Sequence, residues 1–322
     1  MEAASIEALL ERAEKGNLRA LGRLLTLIEH PTPHAIQILE RLAKRAGRAQ
    51  VIGFTGIPGA GKSTLASRVI GALRRRGYRV AVVAIDPSSP FSGGSIMGDR
   101  LRMQEHASDP GVFIRSIPTR GVKGGLSTAA LAMIEVFDAM GYDKIIVETV
   151  GVGQSEVDII NAAHTIIVVT MPGAGDDVQA LKAGVMEIGD IYVVNKSDKA
   201  EANKTAAYLQ FALEREDIGR RESGWKPRLV KTSAVLGMGI DSLVDVIEEH
   251  WNFLRESGWS GRKVEARRIL MAKMMAESML SAKVMEAHME SLGYLEEVAR
   301  TGEGIFRAAE ELARRAARKM LE

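Results

Sequence analysis

The sequence contains no cysteine. That excludes disulfides, thiolate metal sites and cysteine nucleophiles, and it fits a cytoplasmic setting. An excess of one charge is missing too: 43 Lys and Arg stand against 41 Asp and Glu, a formal net charge of +2. Composition therefore gives no electrostatic argument for nucleic acid or for a membrane surface as partner. No apolar run approaches the roughly 18 residues needed to span a bilayer. The opening Met1-Glu2-Ala3-Ala4-Ser5 is acidic and amphipathic, without the apolar core of a signal peptide or the character of a transit peptide. Internal repeats and low-complexity tracts are absent. What remains is 322 residues, 46% apolar and 26% charged. Such a composition is ordinary for a globular protein, and the length suits one large α/β domain with additions or two domains.

What is present is dominated by one stretch, Gly56-Ile57-Pro58-Gly59-Ala60-Gly61-Lys62-Ser63. It fits the phosphate-loop pattern G-x-x-x-x-G-K-[ST] at every fixed position. Its flanks agree. Val51-Ile52-Gly53-Phe54-Thr55 reads as a buried strand, and Ser63 to Arg76 sets Leu65, Val69, Ile70 and Leu73 at helical spacing before Gly77. In that order, glycines let successive backbone N–H groups curl around a phosphate while the new helix points its positive end there. Lys62 then neutralises β- and γ-phosphate charge, and the Ser63 hydroxyl is offered to magnesium. The nucleotide contacts expected in this stretch are Gly56, Pro58, Gly59, Ala60, Gly61, Lys62, Ser63 and Thr64.

Around the loop the chain reads as an α/β fold, a mostly parallel sheet flanked by helices, in three parts. Residues 1–48 form a helical N-terminal extension, 49–254 the nucleotide-binding domain, and 255–322 a helical C-terminal arm. In the extension, His30-Pro31-Thr32-Pro33-His34 interrupts the helical pattern before a third helix from Ile36 to Ala46. Its prolines preclude a helical i,i+4 histidine pair, so it reads as a solvated turn, not a metal site.

The domain's strands deliver chemistry at their ends. Tyr78 to Ile85 leads to Asp86, a candidate magnesium residue. The glycine-rich stretch from Pro90 to Arg100 reads as a switch, with Asp99 its candidate metal and catalytic acid. The basic loop Arg120 to Gly125 reads equally as solvated or as a phosphate or partner contact. An apolar strand from Lys144 ends in Glu148, with Gly151 three residues later. Glu148 suits holding a metal-bound water or orienting the attacking one, and the Gly151 N–H suits the γ-phosphate. Ile191 to Val194 delivers Asn195-Lys196-Ser197-Asp198, an N-K-x-D motif. An aspartate there accepts two hydrogen bonds from guanine N1 and N2, which adenine cannot supply. At Ser233-Ala234 a backbone N–H is expected to meet guanine O6. The base is therefore guanine, and the substrate and product are GTP and GDP. In the arm, Met271, Met274, Met275, Met279, Met285 and Met289 read either as adaptable core or, in a segment without its own core, as a dimer contact.

Taken together, GIPGAGKST, VAIDPSSPFSGGSIMGDRLRM, IIVETVGVGQSE, TMPGAGDDVQALKAG and VVNKSD, in this order, resemble the MeaB/ArgK group of SIMIBI-class P-loop GTPases. The resemblance covers nearly the whole chain. It implies a homodimeric, magnesium-dependent GTPase that chaperones an adenosylcobalamin-dependent acyl-CoA mutase, typically methylmalonyl-CoA mutase, gating cofactor loading and protecting the mutase. It places Lys62 and Ser63 on phosphate and magnesium, Asp86 and Asp99 near the metal, and Glu148 in the hydrolytic centre. The Gly173 to Lys182 loop then resembles a further switch that reports nucleotide state to the client, and the arm a dimerisation element. The alternatives are a metallochaperone GTPase, which needs cysteine and histidine clusters, and a nucleotide-gated scaffold of the same class with another client. A deviant Walker ATPase would carry a lysine where Ile57 stands and lack N-K-x-D.

Overall fold

The computed structural model describes residues 3–30, 32–86, 105–118, 128–149, 162–173, 187–214, 222–291, 295–296, 298 and 304–321. The chain opens with α1 (Ala3–Glu14), α2 (Leu18–Leu27) and α3 (Pro33–Ala43). Asn17 caps α2 through a 2.9 Å bond from the Ala20 N–H, and Thr32 caps α3 through a 3.2 Å bond from Ala35. Pro33 and His34 thus lie inside the first turn of α3, three residues ahead of the expected start. A proline at the first helical position loses no intrahelical bond, which is why the turn motif initiates the helix there.

Among the described residues seven strands follow: β1 (Gln50–Gly56), β2 (Val80–Asp86), β3 (Val112–Pro118), β4 (Lys144–Thr149), β5 (Thr165–Thr170), β6 (Ile191–Val194) and β7 (Arg228–Lys231). They form one sheet in the order β3-β2-β4-β1-β5-β6-β7, with every pair parallel. β1 and β5 are buried along their whole length. This explains why they read as unbroken apolar runs rather than alternating ones. Helices α4 (Lys62–Arg75), α5 (Thr128–Ala139), α6 (Ala202–Leu213) and α7 (Ile240–Glu256) pack on the sheet. α5 is buried from Ala130 to Asp138, because α3 lies on it as well as the sheet. At its end the Asp138 carboxylate accepts the N–H groups of Gly47, Arg48 and Ala49 at 2.7, 3.0 and 3.1 Å, fixing the entry into β1.

Helix α8 (Trp259–Glu290) is followed by α9 (Ile305–Leu321). The chain divides into two compact units at Arg267/Arg268. In the first, the Arg267 guanidinium, 1% exposed, bonds the Glu135 carboxylate at 3.1 Å and the Ala162 carbonyl at 3.3 Å. A buried charge pair needs such extra partners to offset desolvation. In the second, Lys319 bridges Glu286 and Glu290 at 3.1 and 2.7 Å. No helix among the described residues is long and apolar enough to cross a membrane.

Candidate nucleotide site

β1 occupies the centre of the sheet and delivers the phosphate loop at its C-terminal end, between β4 and β5 on either side. This is the switch point at which open parallel sheets bind ligands. Gly56 has φ +127°, and a Cβ there would stand 2.0 Å from the Val169 carbonyl oxygen, so no other residue fits. The Ile57 N–H bonds that same carbonyl at 3.2 Å, anchoring the loop to β5. Gly61 precedes α4 in the left-handed region, with no side chain to cap the helix. The first N–H groups of α4 are thereby directed at the loop, as an anion site requires. Lys62 opens α4 and arcs back, its Nζ 2.7 Å from the Gly56 carbonyl oxygen. Ser63 follows, 6% exposed.

The N-K-x-D segment is built into this loop from the other side. Asn195 is 2% exposed, and its Nδ2 donates to the Ala60 carbonyl at 2.7 Å. Its Oδ1 accepts the Thr232 hydroxyl at 3.1 Å and the Ala234 N–H at 3.0 Å. One side chain therefore holds the phosphate loop, the end of β6 and the loop after β7 in a fixed relation. Lys196 adopts φ +56° and sends Nζ to the Gly59 carbonyl at 2.7 Å and the Met171 sulfur at 3.3 Å. A non-glycine residue in that region is strained and persists where its surroundings dictate it. Asp198 accepts a hydrogen bond from the Ser233 hydroxyl. That bond, then the aspartate's own N–H and the nearby Lys199 and Lys196 charges, hold its carboxyl below the usual range, so it is an acceptor at neutral pH. The loop from Ser233 to Met238 is closed by a pair of backbone bonds of 3.0 and 3.1 Å.

One contributor escaped the sequence. Arg68 on α4 donates from Nε to the Ala234 carbonyl at 2.9 Å, tying the helix after the phosphate loop to the loop after β7. Nothing in its helical sequence context distinguishes it from a solvated arginine. Ser67, one residue earlier, bonds Glu105 and, at 3.0 Å, the His106 ring, which fixes the end of the segment leading into β3.

Glu148 lies near the end of β4 between Phe54 of β1 and Ala84 of β2, 1% exposed. Asp86 is the last residue of β2, at the same edge of the sheet. Asp99, Gly151 and the charged part of the Gly173 to Lys182 loop lie outside the described residues. Among the described residues no group of three or more His, Asp or Glu forms a metal cluster.

An all-parallel sheet with a phosphate loop at its switch point, bonded through Asn195 to an N-K-x-D strand end, defines a P-loop GTPase. The chain belongs to the MeaB family: residues 21–289 match the model described as Methylmalonyl Co-A mutase-associated GTPase MeaB. A Pyrococcus abyssi protein named as a GTPase is 48% identical over 295 residues, covering 92% of this chain and 90% of the relative. The GTPase ArgK of Escherichia coli is 38% identical over 260 residues, covering 79% of this chain and 78% of the relative. The solved structure of a LAO/AO transport system kinase superposes with a TM-score of 0.70 at 26% identity, covering 98% of each chain.

Proposed function

We propose that this GTPase serves as a chaperone of an adenosylcobalamin-dependent acyl-CoA mutase, methylmalonyl-CoA mutase or a relative, and gates cofactor loading by its nucleotide state. The observation that carries the nucleotide half is Asn195, which bonds the phosphate loop and the Ser233-Ala234 loop at once. The client half rests on the family's description. In this reading Asp198 accepts guanine N1–H and N2–H, the Ala234 N–H meets O6, and Lys196 flanks the base along the phosphate loop. Gly56 to Thr64 surround the phosphates, with Lys62 placed to neutralise them. The donors at hand for a magnesium ion are the Ser63 hydroxyl and the carboxylates of Asp86, Asp99 and Glu148, hard oxygens that suit this hard cation. Bound there, the ion would offset phosphate charge. Glu148 is well suited to orient water because β4 holds it in a buried position beside β1.

The methionine-rich C-terminal arm, residues 255–322, is read as the dimerisation element of a cytoplasmic homodimer. Exposed Met279, Met285 and Met289 support that reading. The Gly173 to Lys182 loop is read as the reporter of nucleotide state, because Asp176, Asp177 and Lys182 follow Gly173, whose φ is +84°. The test is GTP hydrolysis against concentration of a candidate mutase. The wild type should be stimulated. Asp176→Ala and Lys182→Ala should keep basal rates within a few-fold while losing most of the stimulation. A wild type indifferent to every such mutase would overturn the client assignment, and full stimulation of both variants would overturn the loop's role.

A further inference from the structure

A cavity of about 630 Å³ opens at the end of the sheet opposite the phosphate loop, where β1 and β4 begin. Its lining includes Ala49 and Lys144 from the strand starts, Tyr142 beside them, and Trp251 and Arg255 from α7. Three acids also line it, and all are committed elsewhere. Asp138 accepts three backbone N–H groups, Asp143 accepts the Arg79 N–H at 2.7 Å, and Glu248 pairs with Arg76. Arg45 pairs with Glu14.

The donors left over have no such partners. Among the described residues neither Arg48 nor Arg255 makes an ion pair or side-chain hydrogen bond. Among the described residues Lys144, 3% exposed, has three N–H donors but one acceptor, Gln50 Oε1 at 2.7 Å, besides the Tyr78 ring at 4.5 Å. Burial pushes its pKa down to about 8, against partial support from Glu248 and Asp143. A buried ammonium so placed is stabilised by any anion that reaches it. Aromatic stacking does not describe the site: Lys144 lies over Tyr78, Arg79 over Tyr142 at 4.5 Å, and His164 against Trp251 at 5.0 Å. A wall of spare donors asks for acceptors, and arginine forks match the paired oxygens of carboxylate or phosphate.

We propose that this cavity is a second binding site, separate from the nucleotide site, for a small molecule bearing a phosphoryl or carboxylate group held by Arg48, Arg255 and Lys144. The volume lies within the ~300–1,000 Å³ usual for small-molecule sites, too small for a folded partner. β4 runs from Lys144 in this cavity to Glu148 at the nucleotide end, so one strand belongs to both sites.

The experiment is calorimetric titration of the full chain, saturated with GDP and magnesium so that the phosphate loop is occupied, at pH ~8 and fixed ionic strength. Inorganic phosphate and citrate are titrated separately. At least one should bind saturably, with proton uptake measurable as a dependence of the heat on buffer ionisation, because an anion raises the Lys144 pKa. Phosphate alone saturating identifies a phosphoryl ligand, and citrate alone a carboxylate. Arg48→Gln/Arg255→Gln, two exposed positions, should weaken binding at least tenfold while GTP hydrolysis is unchanged. No saturable binding of either anion, or equal binding by wild type and the double variant, overturns the proposal.

Discussion

Replacing Asn195 by alanine removes three hydrogen bonds from one buried point. Ala60, Thr232 and Ala234 are each no more than 2% exposed, so water does not take the place of the lost amide. The variant strands a carbonyl, a hydroxyl and an N–H. At roughly 1–3 kcal/mol for each buried group left unsatisfied, less what local relaxation recovers, the loss is about 3 kcal/mol. Because the amide holds the phosphate loop against the Ser233-Ala234 loop, binding should suffer as well, by about tenfold or more. That loss should be the same for GDP and XDP, since Asn195 positions the site without reading the base. The assay is urea unfolding with and without GDP, paired with titration of both nucleotides. An unfolding free energy within about 1 kcal/mol of wild type, or a loss confined to GDP, would refute the bracing role.

Asp138→Ala, which frees three N–H groups at the entry to β1, should cost about 2–3 kcal/mol in chemical unfolding and leave nucleotide specificity alone; an unchanged midpoint would contradict it. Lys144 titrates near 8 when folded and near 10.5 when unfolded, so between those values the unfolded chain holds the extra proton and stability rises with pH. Unfolding at pH ~7.5 and ~9.5 should therefore favour wild type over Lys144→Met by about 1–2 kcal/mol more at the higher pH, and equal changes in both would contradict the shift. Lys62→Ala should weaken GTP binding more than GDP binding if the lysine meets the terminal phosphates as proposed; equal loss would argue for a purely structural contact with Gly56.

The strand ends were legible because parallel strands buried on both faces read as apolar runs, and the residue that ends each run stands out. The positions of Glu148, near the end of β4, and Asn195, just after β6, were read in this way. Other elements left no such trace. α5 is buried nearly all round, which erases the helical period, so the stretch from Thr128 to Ala139 gave no amphipathic signal. The solvated turn read around Pro33 is in fact a helix start, since Thr32 supplies the cap. Lys144 read only as the first residue of the strand ending in Glu148; its burial depends on Tyr78 and Gln50, which only the sheet register brings beside it. Arg68 reached the site through a contact 166 residues away along the chain, which no local pattern encodes.

The most direct measurement of the guanine-site account is the affinity of Asp198→Asn for GTP and for XTP. Asparagine keeps an acceptor for N1–H and presents a donor where the base now has an amino group, so guanine meets donor against donor while xanthine meets donor against carbonyl. The account predicts that GTP affinity falls by about 10–100-fold, XTP affinity rises, and the unfolding midpoint stays close to wild type. Equal loss of both nucleotides, or GTP binding left intact, would contradict the assignment of Asp198 as the residue that reads the base.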